Sequence, residues 1–161
     1  MSTNSAIAEL AFPAWNGRSK LRLTDVLEVV PQNAMHWVVY EFSGAGEPPA
    51  GMKMEDFEER VRSQPTGHAM RWRDLQRFAA GLSDTDSVSF AAGPVPFQGS
   101  EHQRSALLAG SQGLGRAIYA SPYCALVGHL SDSTEWQIAA RTDNAVASAV
   151  VSDLARIVSS T

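Results

Sequence analysis

The sequence predicts an α+β fold: an antiparallel sheet of about four or more strands with helices packed on one face. Three observations predict it. Residues His36 to Phe42 alternate with period two and are rich in β-branched and aromatic side chains. Two apolar segments, Cys124 to Leu130 and Glu135 to Arg141, are joined by Ser131-Asp132-Ser133-Thr134, the residue types of a short hairpin loop. The order along the chain is helix, strand, two helices, strand, hairpin, helix, so helices are grouped instead of alternating with every strand. Hairpin-linked strands with grouped helices give an antiparallel sheet covered by a helical layer. At 161 residues the chain is the length of one domain, residues 1–161. A domain of that size buries roughly two-thirds of its unfolded surface and needs no metal or disulfide to hold it.

The elements follow in order. Residues 1–8 are small and polar and are expected to be disordered. Leu21 to Val30 reads as an extended stretch leading into a short helix, with Thr24 as its N-cap and Pro31 as its stop. In the His36–Phe42 strand, Val38, Tyr40 and Phe42 fall on one face, with Trp37, Val39 and Glu41 on the other. Ser43 to Gly51, rich in Gly and Pro, is loop. Met54 to Ser63 is a helix whose Met54, Phe57 and Val61 make an apolar stripe, and Pro65 and Gly67 end it. A second helix spans Trp72 to Leu82, with Trp72, Leu75, Phe78, Ala79 and Leu82 on one side. Ser87 to Ala92 is a strand and Gly93 to Gly99 a loop with two prolines. Between Glu101 and Tyr123 the only regular signal is a helical turn at Arg104 to Ala109, since Gly110, Gly113 and Gly115 disfavour a long helix. After the hairpin, Thr142 caps a final helix through Val158, with Val146, Ala149, Val150, Leu154 and Ile157 as its buried stripe.

Composition excludes several classes of function. Apolar residues make up 44% and charged residues 19%, which places the chain among globular proteins. Seventeen acidic against thirteen basic residues give a formal charge of −4, which phosphate backbones repel, so no nucleic-acid partner is expected. No apolar run reaches the roughly 20 residues a membrane span requires. The N-terminal stretch lacks the basic and apolar regions of a secretory signal. One cysteine, Cys124, rules out an internal disulfide and suits a reducing compartment. The expected location is cytoplasmic, with no membrane association.

No catalytic or metal constellation stands out. The histidines are His36, His68, His102 and His129, with no i, i+4 pair and no C-x-x-C. No metal ligand set and no cofactor is therefore expected. Cys124 opens an apolar strand, where cysteine behaves as a small hydrophobe. Ser100-Glu101-His102 has the letters of a triad, but adjacent residues rarely face one another. A small hydrolase or transferase using Cys124 or His102 is the enzymatic alternative, and a structural or adaptor subunit of a larger assembly is a third reading. Gly110-x-x-Gly113-x-Gly115 follows no strand and lacks the Lys-Ser/Thr of a phosphate loop.

Charge is patterned more informatively. Glu41, Glu47, Glu55, Asp56, Glu58 and Glu59 face a single lysine, Lys53, over the same stretch. A solvated helix start explains part of this, because the helix dipole favours carboxylates there. The functional reading is an acidic surface that docks on a basic partner. Trp15, Trp37, Trp72 and Trp136 are mostly core candidates, with Trp37 and Trp136, on strands beside polar neighbours, as alternative exposed anchors; Asp132 sits in the hairpin beside Trp136. Two motifs then carry a family resemblance. Gly67-His68-Ala69-Met70-Arg71-Trp72-Arg73-Asp74-Leu75-Gln76-Arg77-Phe78-Ala79-Ala80-Gly81-Leu82 resembles a G-x-x-M-x-W-x-x-L-x-x-F-A-x-x-L pattern. Asp132-Ser133-x-x-Trp136-x-Ile138, followed by a terminal helix, resembles a D-S-x-W-x-V hairpin. Both are similar to small immunity-type proteins of bacterial polymorphic toxin systems. Arg71 stands where that pattern has a Ser or Thr cap, and one extra residue separates Ser133 from Trp136. The resemblance implies a non-enzymatic inhibitor whose partner is a cognate toxin or effector protein. The partner-binding candidates are Glu41, Glu47, Glu55, Asp56, Glu58, Glu59, Asp132 and Trp136.

Overall fold

In the computed structural model, which describes residues 6–49, 51–109 and 114–160, the order is β1 (Ile7–Pro13), α1 (Leu23–Leu27), β2 (His36–Gly46), α2 (Met54–Ser63), β3 (His68–Arg71), α3 (Trp72–Ala80), β4 (Leu82–Gly93), α4 (Glu101–Leu108), α5 (Gly115–Tyr119), β5 (Leu126–Ser131), β6 (Glu135–Arg141) and α6 (Ala145–Ser159). The six strands form one sheet in the order β1-β6-β5-β4-β2-β3, and every neighbouring pair is antiparallel. The predicted α+β class and antiparallel sheet stand.

Most helices share one face, as expected. There Phe57 and Val61 of α2, Trp72, Leu75 and Phe78 of α3, and Val150 and Leu154 of α6 pack against Trp37, Val39, Phe90, Leu126, Trp136 and Ile138 of the sheet. The opposite face is covered too. Leu107 of α4, Ala117 and Ile118 of α5, and Phe97 pack on Val38, Tyr40, Ala91, Val127 and Ala139. The sheet therefore lies between two layers, because β5 and the end of β4 are apolar on both faces and must be buried on both.

Local differences from the sequence reading have identifiable causes. Ile7 and Ala8 are not frayed: β1 pairs with β6 from Ile7↔Arg141 to Pro13↔Glu135, a non-local partnership that local composition cannot reveal. In β2 the pairing with β4 shifts between Val39 and Glu41. This bulge places Phe42 in the large cluster with Trp37 and Val39, while Val38 and Tyr40 face the smaller one. Helix α1 is capped at Arg22, whose N–H donates to Asp25 Oδ2 at 2.7 Å, and not by Thr24. Helix α6 is capped by Asn144, whose Oδ1 accepts from Ala147 N at 3.0 Å; Thr142 instead ties to Ala6 O at the start of β1. The hairpin turns tightly, with Asp132 at φ 47° and Ser133 at φ 60°. The glycine-rich motif at 110–115 lies outside the described residues except for Leu114 and Gly115.

Across the sheet Ser89 and His129 are in register, and Ser89 Oγ lies 2.6 Å from His129 Nδ1. Burial holds the His129 imidazole below its ordinary pKa, and His68 is lowered too, by burial first and then by Arg60. An unfolded histidine titrates near 6.5, so below that pH the unfolded chain binds the proton first. The stabilisation is complete above pH 6.5 and is lost as pH falls through the lowered native values. Urea unfolding is expected to give a lower midpoint at pH 5.5 than at pH 7.5, and His129→Gln to flatten that dependence. A midpoint unchanged between the two pH values would contradict the neutral buried imidazole.

Candidate functional site

A cavity of about 720 Å³ forms an open groove along the free edge of β3. Its floor is His68, Ala69, Met70 and Arg71; Asp74, Arg77 and Phe78 of α3 form one wall, and Glu47, Pro48 and Pro49 form the other. Two tight turns bring these parts together. Gly67 has φ 82°, and a Cβ there would lie 2.2 Å from Val38 Cγ1, so only glycine lets the chain leave α2 and run closely beside β2. Gly46 has φ 136°, and a Cβ there would meet Gly81 O and Leu82 Cα at 2.5 Å. That approach seats Glu47, whose N–H donates to Gly81 O at 2.9 Å, against the end of α3.

The groove carries both signs of charge, Arg71 and Arg77 against Glu47 and Asp74, over an apolar base of Met70 and Phe78. His68 stands edge-on to Phe57 at 5.5 Å and His36 edge-on to Phe97 at 6.4 Å. Among the described residues no group of three or more His, Cys, Asp or Glu side chains is placed to hold a metal ion. What the groove can do chemically is accept hydrogen bonds, apolar contact and both kinds of charge along one line.

The residues singled out from sequence are dispersed around the molecule. Glu47 lines the groove. Glu55, Asp56 and Glu59 are exposed on α2, where Glu59 pairs with Arg62 at 2.9 Å. Glu58 is half-buried and accepts from Gly44 N at 3.3 Å, which gives a partner to a backbone donor at the edge of β2. Glu41 faces the other side of the sheet from Phe42; burial, then the nearby Asp132 charge, raises its carboxyl pKa. Asp132 is exposed in the hairpin. Trp136 is not an exposed anchor: it has no accessible surface, and its Nε1 donates to Leu21 O at 2.9 Å. Trp37 is equally buried and stacks on Trp72 with centroids 5.0 Å apart. Both strand faces are covered, so an indole on either one is inside.

The candidates for chemistry are placed as clearly. Cys124 is buried, and desolvation pushes its thiol up to about 11, so it is not a thiolate at neutral pH. Ser100 is the N-cap of α4, its Oγ accepting from Gln103 N at 3.0 Å, which accounts for the Ser-Glu-His letters as a helix start. His102 is exposed on that helix. Ser89 and His129 have the spacing of a nucleophile and its base, but Ser89 has no accessible surface and sits in mid-strand, so no substrate reaches it. Among the described residues no helix is long and apolar enough to cross a membrane.

Sequence reasoning missed the groove because Ala69, Arg71 and Arg77 carry no pattern by themselves. The signal that was present was the Gly67–Leu82 motif, which supplies the floor and one wall. Comparison of the chain with protein-family models, with curated proteins and with solved structures gives no match.

Proposed function

We propose that this chain is a non-enzymatic inhibitor that neutralises a cognate toxin or effector protein by forming a complex with it, in the cytoplasm of a bacterium. The observation that carries this reading is the groove along β3: an open, charge-mixed trough beside an unpaired strand edge, a feature suited to a protein partner. The motif that resembles immunity-type proteins, Gly67 to Leu82, is also the segment that builds that trough. Glu47 contributes from the opposite wall, and the exposed Glu55, Asp56 and Glu59 of α2 follow it in the chain and add negative charge for a basic partner. Inhibition then needs only occlusion of the partner's active site, with no bond made or broken by this protein.

Co-expression with a co-produced toxin is expected to protect cells and to yield a complex that survives gel filtration. The double variant Asp74→Lys, Arg77→Glu, which changes two exposed side chains of α3, is expected to lose protection while staying folded, with a small fall in melting temperature because both changes oppose the helix dipole. Protection by that variant equal to wild type would remove the groove from the account. No complex and no protection with the wild-type protein would remove the inhibitor reading itself.

A further inference from the structure

We propose that β3 accepts an extended segment of the partner protein as a seventh strand of the sheet, a mode of binding that rests on the protein-binding reading above. Strand β3 pairs with β2 on one side only, from His36↔Arg71 to Val39↔His68. In an antiparallel pair the residues alternate between those that exchange both backbone bonds with the neighbour and those that turn both N–H and C=O away. Two of the four β3 residues therefore aim donor and acceptor outward. Arg71 is also the N-cap of α3, so its C=O belongs to the first turn of that helix. The groove lies along that line.

The other exposed edges differ. Where β2 runs on past the end of β3, Glu58 supplies a partner to Gly44 N. At the opposite end of the sheet β1 finishes in Pro13, which has no donor, and the hollows lined by β1 residues measure about 200 and 260 Å³. Of these edges, β3 is the one that opens into a large trough with charged walls. Sheet edges are usually protected against such additions. Here the shortness of β3 and Arg71 limit indiscriminate pairing while leaving room for a specific segment.

The occupant's chemistry follows from the walls. It must offer alternating backbone acceptors and donors, which an extended polypeptide does and a nucleic acid or a lipid surface does not. On the α3 side its side chains meet Met70 and Phe78, which favours an apolar residue there. Asp74 and Glu47 on one hand, and Arg71 and Arg77 on the other, favour a basic and an acidic residue flanking it. The partner segment is thus an extended, proline-free stretch in which apolar and charged residues alternate.

The test uses the full chain and a displayed library of random decapeptides, followed by synthetic copies of the enriched peptides. Enriched peptides are expected to alternate apolar and charged residues. N-methylation of alternate peptide amides should weaken binding by about tenfold or more, and N-methylation of the intervening amides should do little. Arg77→Glu should weaken peptides with an acidic residue by a similar factor, and backbone amides within 68–71 should exchange more slowly when peptide is bound. Failure to enrich any sequence, indifference to N-methylation at every position, or binding unaltered by Arg77→Glu would overturn the proposal. Because the probe is a peptide, each of those failures leaves the co-expression result standing. Peptide binding as described, combined with no toxin complex, would instead sink the inhibitor reading alone.

Discussion

Trp136→Ala is expected to destabilise the protein by about 3–5 kcal/mol, the range for removing a large aromatic side chain from a packed core. Trp136 lies between Leu130 of β5 and Phe12 of β1 in the ladder, so its indole joins the edge strand to the centre of the sheet. Its Nε1 also holds Leu21 O at 2.9 Å, which anchors the segment leading into α1. Removing the ring leaves a cavity under β1 and an orphaned carbonyl, and the two losses fall on the same seam. Trp136→Phe keeps most of the packing and loses the hydrogen bond, so it should cost about 1–3 kcal/mol. Urea titration of the three proteins checks the order. Wild-type stability for Trp136→Ala, combined with lost partner binding, would restore the exposed-anchor reading that the burial of this residue argues against.

Tyr40→Phe is expected to cost about 2–4 kcal/mol, more than the usual loss of one hydrogen bond, because it strands two partners. The Tyr40 hydroxyl donates to Gln103 Oε1 at 2.6 Å and accepts from Ser100 N at 3.0 Å. Gln103 in turn donates through Nε2 to Ala117 O at 2.8 Å. One phenol thus connects β2 to both α4 and α5, and Tyr40 and Gln103 have no accessible surface. Burial raises the phenol to about 12, so the network is intact throughout the neutral range. Such networks are stabilising when every member is satisfied and expensive when one is not. The double variant Tyr40→Phe, Gln103→Leu should recover part of the loss, since it removes Gln103 Oε1 together with its donor. A double variant no better than the sum of the two singles would contradict the coupling.

The parts of the fold legible in the sequence are those set by local pattern. The stripe Met54, Phe57, Val61 gave α2 with the observed limits, and Trp72, Leu75, Phe78 gave α3 to within its last turn. The hairpin of β5 and β6 was legible because its turn residues are of the kinds that tolerate positive φ. What was illegible depends on distant partners. Strand β1 is recognisable only through its pairing with β6, and β3 is four residues hidden in what reads as a turn. The early half of β4, with Ser83, Asp84 and Asp86, looks like loop. It is strand because Gly44 to Gly46 runs beside it in the ladder. The second helical layer arises from α4, whose buried residues are only Gln103 and Leu107, and from α5, five residues that open on Gly115, and neither is long or apolar enough to show a period.

The candidate site was legible in a different sense. Its floor and one wall belong to the single motif that resembled immunity-type proteins, yet that motif reads most directly as a record of which helix face is buried. Of the motif residues that line the groove, Met70 and Phe78 are letters the pattern fixes, while His68, Ala69, Arg71, Asp74 and Arg77 are letters it leaves open. The carboxylates chosen for their density divide among three places: Glu47 at the groove, the α2 group on its helix, and Glu41 with Asp132 across the sheet. Charge counted along the chain says little about charge gathered in space once a bulge and two tight turns have redirected the backbone.

The central claim, that this molecule acts by presenting the β3 edge and its groove to another protein, is tested most directly by titrating a purified toxin domain into the wild-type chain and into the Asp74→Lys, Arg77→Glu variant in a calorimeter. The account predicts a stoichiometric complex with wild type and an affinity at least about a hundredfold weaker for the variant, roughly 2.7 kcal/mol, with both proteins folded at the temperature of the titration. Equal affinity for both proteins would contradict it.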